Sequence, residues 1–176
     1  MFAKKGFSAV SMRHLSKAVN MSPAAIYHYF PDKNTLYLET VKYAFADKVE
    51  AFSAAWQGNH SAKIKLELFV TSLIQELTLD QVFHTLILRE IVDANPERMK
   101  MLANDVFKEQ FCFLLSVMKE IAPEKDEHLS AISVLSLCKH HLEMQPLRKH
   151  LPGWKNEHEQ PEVLAKHVIE LLLKGL

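Results

Sequence analysis

Apolar residues along this chain recur at three- and four-residue intervals, and they rarely alternate with polar ones as a half-buried strand would require. The pattern predicts roughly nine helices in succession. Met1 to Lys5 reads as the last turn of a helix closed by Gly6, a residue that accepts the left-handed conformation at a helix end. Ser11 is placed to cap a short helix to about Asn20, with Met12, Leu15, Ala18 and Val19 at helical spacing. After a turn at Asn20-Met21, Ser22 caps a second short helix with Pro23 in its first position, where a missing N–H costs nothing. That helix stops near Phe30, ahead of Pro31, and Asp32 caps a third that reaches about Trp56. Beyond a loop at Gln57–Ser61, helices are expected over about Ala62–Leu79, Gln81–Asp93, Arg98–Ile121, Asp126–Met144 and Pro161–Leu173. In the first of these, Ile64, Leu66, Leu68, Phe69, Leu73, Ile74 and Leu77 cover much of the surface, which predicts a central position.

Composition supports an all-α class. Only 4 Gly and 7 Pro occur in 176 residues, fewer than the tight turns of a sheet protein demand. Net charge is zero but uneven: Met1 to Lys48 carries seven Lys/Arg against three acids, a net of +4 that leaves −4 for the rest. A basic amino-terminal module on an acidic body suits contact with a polyanion at one end. Cys112 and Cys138 lie in apolar helical patterns outside any CxxC pair, so both are expected to be buried thiols in a reducing compartment. No signal segment opens the chain, and no apolar run approaches the ~18–20 residues of a membrane span, which leads to the expectation of a cytoplasmic protein without a membrane partner. No nucleophile–base set, Gly-rich phosphate loop or metal-ligand spacing appears, so neither an enzyme nor a cofactor is expected.

The informative feature is the pair of short capped helices joined by a tight turn. A second helix of this size can enter a major groove if its exposed residues are small or hydrogen-bonding. Ala24 and Ala25 allow close approach, while Tyr27 and Tyr29 offer hydroxyls to phosphate or pack at an interface. His28 is expected beside the groove rather than on a metal, since no second ligand stands at i+4. Arg13 is a candidate for guanine or for an ion pair, and Lys33 brings its charge to a helix start. The stretch from Phe2 to Val41, and above all Ala25-Ile26-Tyr27-His28-Tyr29-Phe30-Pro31-Asp32-Lys33, closely resembles the DNA-binding domain of TetR/AcrR-family repressors. The resemblance implies a homodimer on a palindromic operator in double-stranded DNA, a three-helix DNA-binding domain over 1–45, and a helical ligand-binding and dimerisation domain over 46–176. By position it implies a base or phosphate contact for Arg13, groove-facing roles for Pro23, Ala24 and Ala25, and phosphate contacts for Tyr27 and Lys33. Where the family often has Thr, this chain has Ala25; a hydroxyl contact is lost there, which Ser22 is placed to supply.

For an unknown small-molecule effector, the middle helices offer Trp56, Phe69, Leu73, Phe83, Leu86, Phe107 and Phe111 as apolar lining, with His84 or Arg89 as a polar anchor. Residues of each of these kinds are more often plain core than pocket lining, and Arg89 and Glu90 are also candidates for a buried ion pair. For the dimer, Leu129, Ile132, Ser133, Leu135 and Ser136 on the penultimate helix and Leu164, Val168, Leu171 and Leu172 on the last are the candidates. The family's first helix normally begins well before the FAKKGF segment, so here it is expected to be largely missing. A module so reduced buries little apolar area, which leaves open a binding or interaction module that has lost DNA affinity. Adding ~15–25 upstream residues, about one helix and an arm, is expected to improve operator binding in a gel-shift series; equal affinity of the two forms would defeat that expectation.

Overall fold

The computed structural model describes residues 1–175, without the side chains of 47, 49–51 and 53–55. Eleven α-helices and one short 3-10 turn account for the regular structure of these residues, with no strand among them. The all-α expectation holds. The helices are α1 (Phe2–Lys5), α2 (Met12–Ala18), α3 (Pro23–Tyr29), α4 (Lys33–Trp56), α5 (Ala62–Leu79), α6 (Gln81–Asp93), α7 (Pro96–Asp105), α8 (Lys108–Ile121), α9 (Glu127–Glu143), α10 (Gln145–Arg148) and α11 (Pro161–Gly175). Local chemistry sets many of the boundaries. Ser11, Ser22, Ser61, Asn95 and Asp126 each accept a hydrogen bond from the backbone N–H three residues on, which satisfies one donor that a helix start leaves unpaired. Asp32 does the same for Thr35 at 2.8 Å, and that bond holds its carboxyl below the ordinary carboxylate value.

Two compact units are formed, one by residues 1–47 with 81–108, the other by 48–80 with 109–176. In the first, Phe2, Val10, Met12, Ile26, Tyr37, Val41 and Phe45 are buried together with Phe83, Leu86, Leu102 and Val106. Phe45 meets Phe83 at 5.9 Å and the edge of Phe107 at 5.2 Å between ring centroids. Helix α1 docks on α6, where Arg89 donates to the Lys4 carbonyl at 3.2 Å. Gly6 closes α1 at φ 77, and a Cβ there would lie 3.3 Å from the Arg89 guanidinium. An open apolar cleft of about 430 Å³ is lined by Met1, Phe2, Leu15, Val19, Ile26, Tyr29, Phe30 and Leu36, among others.

In the second unit α5 packs on both α9 and α11. Leu66, Val70 and Ile74 are wholly buried, as the central position predicted for this helix requires. Leu114, Val117, Val134 and Val168 complete that core. His141 stands edge-on to His167 at 5.5 Å. Burial, with the neighbouring His167, Arg148 and His140, holds the His141 ring below the ordinary histidine value of 6.5.

Two sequence expectations are corrected. The single helix expected over about Arg98–Ile121 is two, α7 and α8. At the junction the Phe107 N–H reaches back to Leu102 at 3.0 Å, five residues away, as Val106 and Phe107 turn into the first unit's core. The expectation of two buried thiols holds for Cys138 and fails for Cys112, which is exposed on α8.

Burial pushes the Cys138 thiol up to about 12. A thiol-specific disulfide reagent is therefore expected to modify one thiol per native chain, lost in Cys112→Ser, and two in denaturant; two in the native state would contradict this packing. For His141 the folded value is depressed, so the unfolded chain binds more protons below it and stability falls with falling pH. Tm is expected to drop as the pH goes from about 7 to about 5, and to drop less in His141→Gln; identical pH profiles would exclude His141 as the source.

Candidate nucleic-acid interface

The geometry of α2 and α3 is set by their caps and the turn between them. Ser11 closes a reciprocal box with His14: its hydroxyl accepts from His14 N at 3.2 Å and its N–H donates to His14 Nδ1 at 3.4 Å. Ser16 is only 2% exposed and returns its hydroxyl to the Arg13 carbonyl at 3.0 Å, so a small, internally satisfied side chain occupies the buried side of α2. In the turn, Asn20 takes φ 55, a left-handed conformation that Asn tolerates better than most residues. Met21 N then bonds Ser16 O at 2.9 Å. Ser22 Oγ accepts from Ala25 N at 3.1 Å and Pro23 opens α3. With Ile26 buried, the exposed surface of this short helix carries Pro23, Ala24, Tyr27, His28 and Tyr29, and Ala25 is half-buried.

Of the nine candidate DNA contacts, seven lie on α3 and its cap, while Arg13 lies on α2, which packs on α3, and Lys33 at the start of α4. Arg13 is exposed on the first turn of α2, and Tyr27 is 50% exposed on α3. Tyr29 meets His28 edge-on at 5.3 Å and also borders the apolar cleft, so its ring is partly engaged. The Ser22 oxygen accepts the cap, which leaves its proton to donate. Lys33 differs from the rest. Its ammonium donates to Phe7 O at 3.0 Å and Val10 O at 2.9 Å and lies 4.0 Å from the Phe7 ring centroid, leaving one N–H of three.

Phe7, Tyr37 and Arg98 were not singled out from sequence. Phe7 meets Tyr37 edge-on at 5.2 Å, and the Arg98 guanidinium lies 4.1 Å from the Phe7 centroid and 5.8 Å from that of Tyr37. Arg98 is 8% exposed; it donates to Glu90 at 2.9 Å and to Asp93 at 3.3 Å. Burial and the Glu90 carboxylate, which the phenol also hydrogen-bonds, raise the Tyr37 hydroxyl well above its ordinary value. The ion pair weighed for Arg89 and Glu90 is therefore made by Glu90 with Arg98. A signal existed: Glu90 follows Phe83 and Leu86 on the buried face of α6, and a carboxylate there requires a cation.

The nine candidate effector residues fall in different units. Phe83, His84 and Leu86 are buried in the first, with Arg89 on the Lys4 carbonyl and Phe107 on Phe45. Trp56, Phe69, Leu73 and Phe111 belong to the second. There Phe52, Trp56, Phe113 and Phe69 close a ring of contacts at 5.6 to 6.5 Å, while Phe111 packs on His128 instead. Trp56 Nε1 and Gln110 Oε1 are buried without hydrogen-bond partners among the described residues.

The dimer candidates also divide. Leu129, Ile132, Ser133 and Ser136 are exposed along one face of α9, as is Leu171 on α11, and Leu135 is half-buried. Leu164, Val168 and Leu172 turn into the unit's own core.

Residues 1–40 match the family described as bacterial regulatory proteins, tetR family. No curated protein sequence matches the chain. Among solved structures, the transcriptional regulator FadR from Bacillus subtilis, in complex with stearoyl-CoA, is similar at a TM-score of 0.79 and 18% identity, over 99% of this chain and 93% of that one. The fatty acid degradation regulator FadR from Bacillus halodurans is similar at 0.75 and 18% over the same shares. The TetR family transcriptional regulator PfmR from Thermus thermophilus is 26% identical at a TM-score of 0.67, again over 99% and 93%. Residues 1–40 thus carry a tetR-family segment, and the fold of the chain is similar to that of these transcriptional regulators. Among the described residues no helix is long and apolar enough to cross a membrane.

Proposed function

We propose that this regulator is a homodimeric repressor that reads a palindromic operator and is released from it by an apolar small molecule. The observation that carries the reading is the capped α2–α3 pair within the matched 40 residues, with Ala24, Tyr27 and Arg13 free on its surface. Helix α3 of each protomer enters a major groove, with half-sites about 34 Å apart. Pro23, Ala24, Ala25 and His28 face the bases; Ser22, Tyr27, Tyr29 and the remaining Lys33 N–H face phosphates; Arg13 reads guanine or clamps phosphate.

Residues 1–45 serve as the DNA-binding domain and 46–176 bind the effector and the second protomer. The apolar face of α9, with Leu171 on α11, supports the dimer. For the effector, the aromatic ring closed by Trp56, Phe69 and their neighbours supports an apolar body, and the unpaired Trp56 and Gln110 atoms support a polar group that accepts from one and donates to the other. The complex of the Bacillus subtilis regulator with stearoyl-CoA favours a ligand of long-chain acyl type.

The test is fluorescence anisotropy with a palindromic duplex from the chain's own promoter region across a salt series. Saturable binding is expected to weaken steeply with salt, and Arg13→Ala is expected to weaken it roughly 5- to 100-fold. A slope smaller by about 1 in that variant would assign Arg13 to phosphate, and an unchanged slope to a base. No duplex preference at any salt, or a monomer mass by light scattering, would overturn the repressor or its dimer.

A further inference from the structure

We propose that Arg98 is a positioning residue for the DNA contact of Lys33 and acts through Phe7, the residue that touches both. The inference rests on the reading above that Lys33 faces a phosphate. Phe7 holds Lys33 twice, by its carbonyl at 3.0 Å and by its ring at 4.0 Å from centroid to ammonium. The same ring carries the Arg98 guanidinium at 4.1 Å. Two cations share one aromatic ring because Arg98 is neutralised by Glu90 and Asp93, so it offers a flat, positively polarised face with little net repulsion toward Lys33. Arg98 cannot swing away: it is buried, its Nε and Nη2 are both engaged, and its own N–H bonds the Asn95 side chain at 3.0 Å. The first turn of α7 therefore fixes Phe7, and Phe7 fixes how much of Lys33 remains for DNA. A displacement of Arg98 frees Phe7, lets the Lys33 ammonium exchange its carbonyl partners for water, and removes a phosphate contact without touching α3.

The test uses the full chain with Glu90→Gln/Arg98→Met, which removes the carboxylate together with its cation so that no buried charge is stranded, and Phe7→Leu as a second variant that keeps apolar bulk. With the palindromic duplex, both are expected to weaken binding about tenfold and to reduce the salt slope by about 1, as Lys33→Met does. Adding Lys33→Met to either is expected to cause little further loss. Without DNA, acetylation by an N-hydroxysuccinimide ester, followed by mass spectrometry, is expected to show Lys33 reacting several-fold faster in both variants. Lys48, held by Glu76 and Asp80 in the other unit, serves as the control and stays slow. Unchanged Lys33 reactivity, a parallel rise at Lys48, an unaltered slope, or fully additive losses would each overturn the proposal. If the unaltered chain binds no duplex, the repressor reading fails, and the acetylation rates still decide whether Arg98 sets Lys33.

Discussion

A carboxylate sits where water does not reach. Glu90 is 2% exposed on the inner face of α6, and the first unit is organised around neutralising it. Removing an ionised carboxyl from water costs several kcal/mol, returned only by a close, well-oriented cation with further hydrogen bonds. Arg98 supplies the cation and Tyr37 a hydroxyl. To bring Arg98 within reach, the chain must reverse in two residues after α6. It does so with Ala94 at φ 46 and Asn95 as the cap of α7, a left-handed alanine that costs about 1–2 kcal/mol. The same guanidinium then presents its face to Phe7 and Tyr37. One buried charge thereby ties residues 81–108 to the segment that carries α2 and α3.

The second unit is held differently. Its centre is aliphatic, with α5 between α9 and α11, and its polar contacts lie toward the edges. Around the 3-10 turn at Asn156–Glu159, Gln145 and Trp154 both donate to Glu159, and Arg148 donates to the His158 carbonyl. Such a core tolerates conservative apolar exchange better than a charge network does.

Much of this was legible in the sequence because it is local. Caps act over three residues, so Ser11, Ser22 with Pro23, and Asp32 announced α2, α3 and α4, and the bounds of α5 and α6 followed from their apolar spacing. The exposed Ala24 and Tyr27 were legible for the same reason: α3 turns its one large aliphatic residue, Ile26, inward, which leaves them on the outer side. What failed to show was non-local. The apolar spacing through Val106 and Phe107 continues a helical pattern, yet α7 ends before them, and Phe107 there meets Phe45, some sixty positions earlier in the chain. Cys112 occupies an apolar-looking stretch but falls on the outer side of α8. An ion pair of Glu90 with its chain neighbour Arg89 was one of the readings open to the sequence, but adjacent residues on a helix point in different directions; Arg98, in the first turn of the next helix, is the residue that folds over Glu90.

Gly6 shows how little slack the tie between α1 and α6 contains. The chain passes there in a conformation that other residues resist, and a Cβ would approach the Arg89 guanidinium to 3.3 Å, tighter than ordinary contact. Neighbouring Ser8 and Ala9 are exposed and meet no such limit. Drift or design can therefore rewrite Ser8 and Ala9 while Gly6 stays fixed, and the register in which the segment carrying α2 and α3 meets α6 is inherited from a position that encodes no side chain at all.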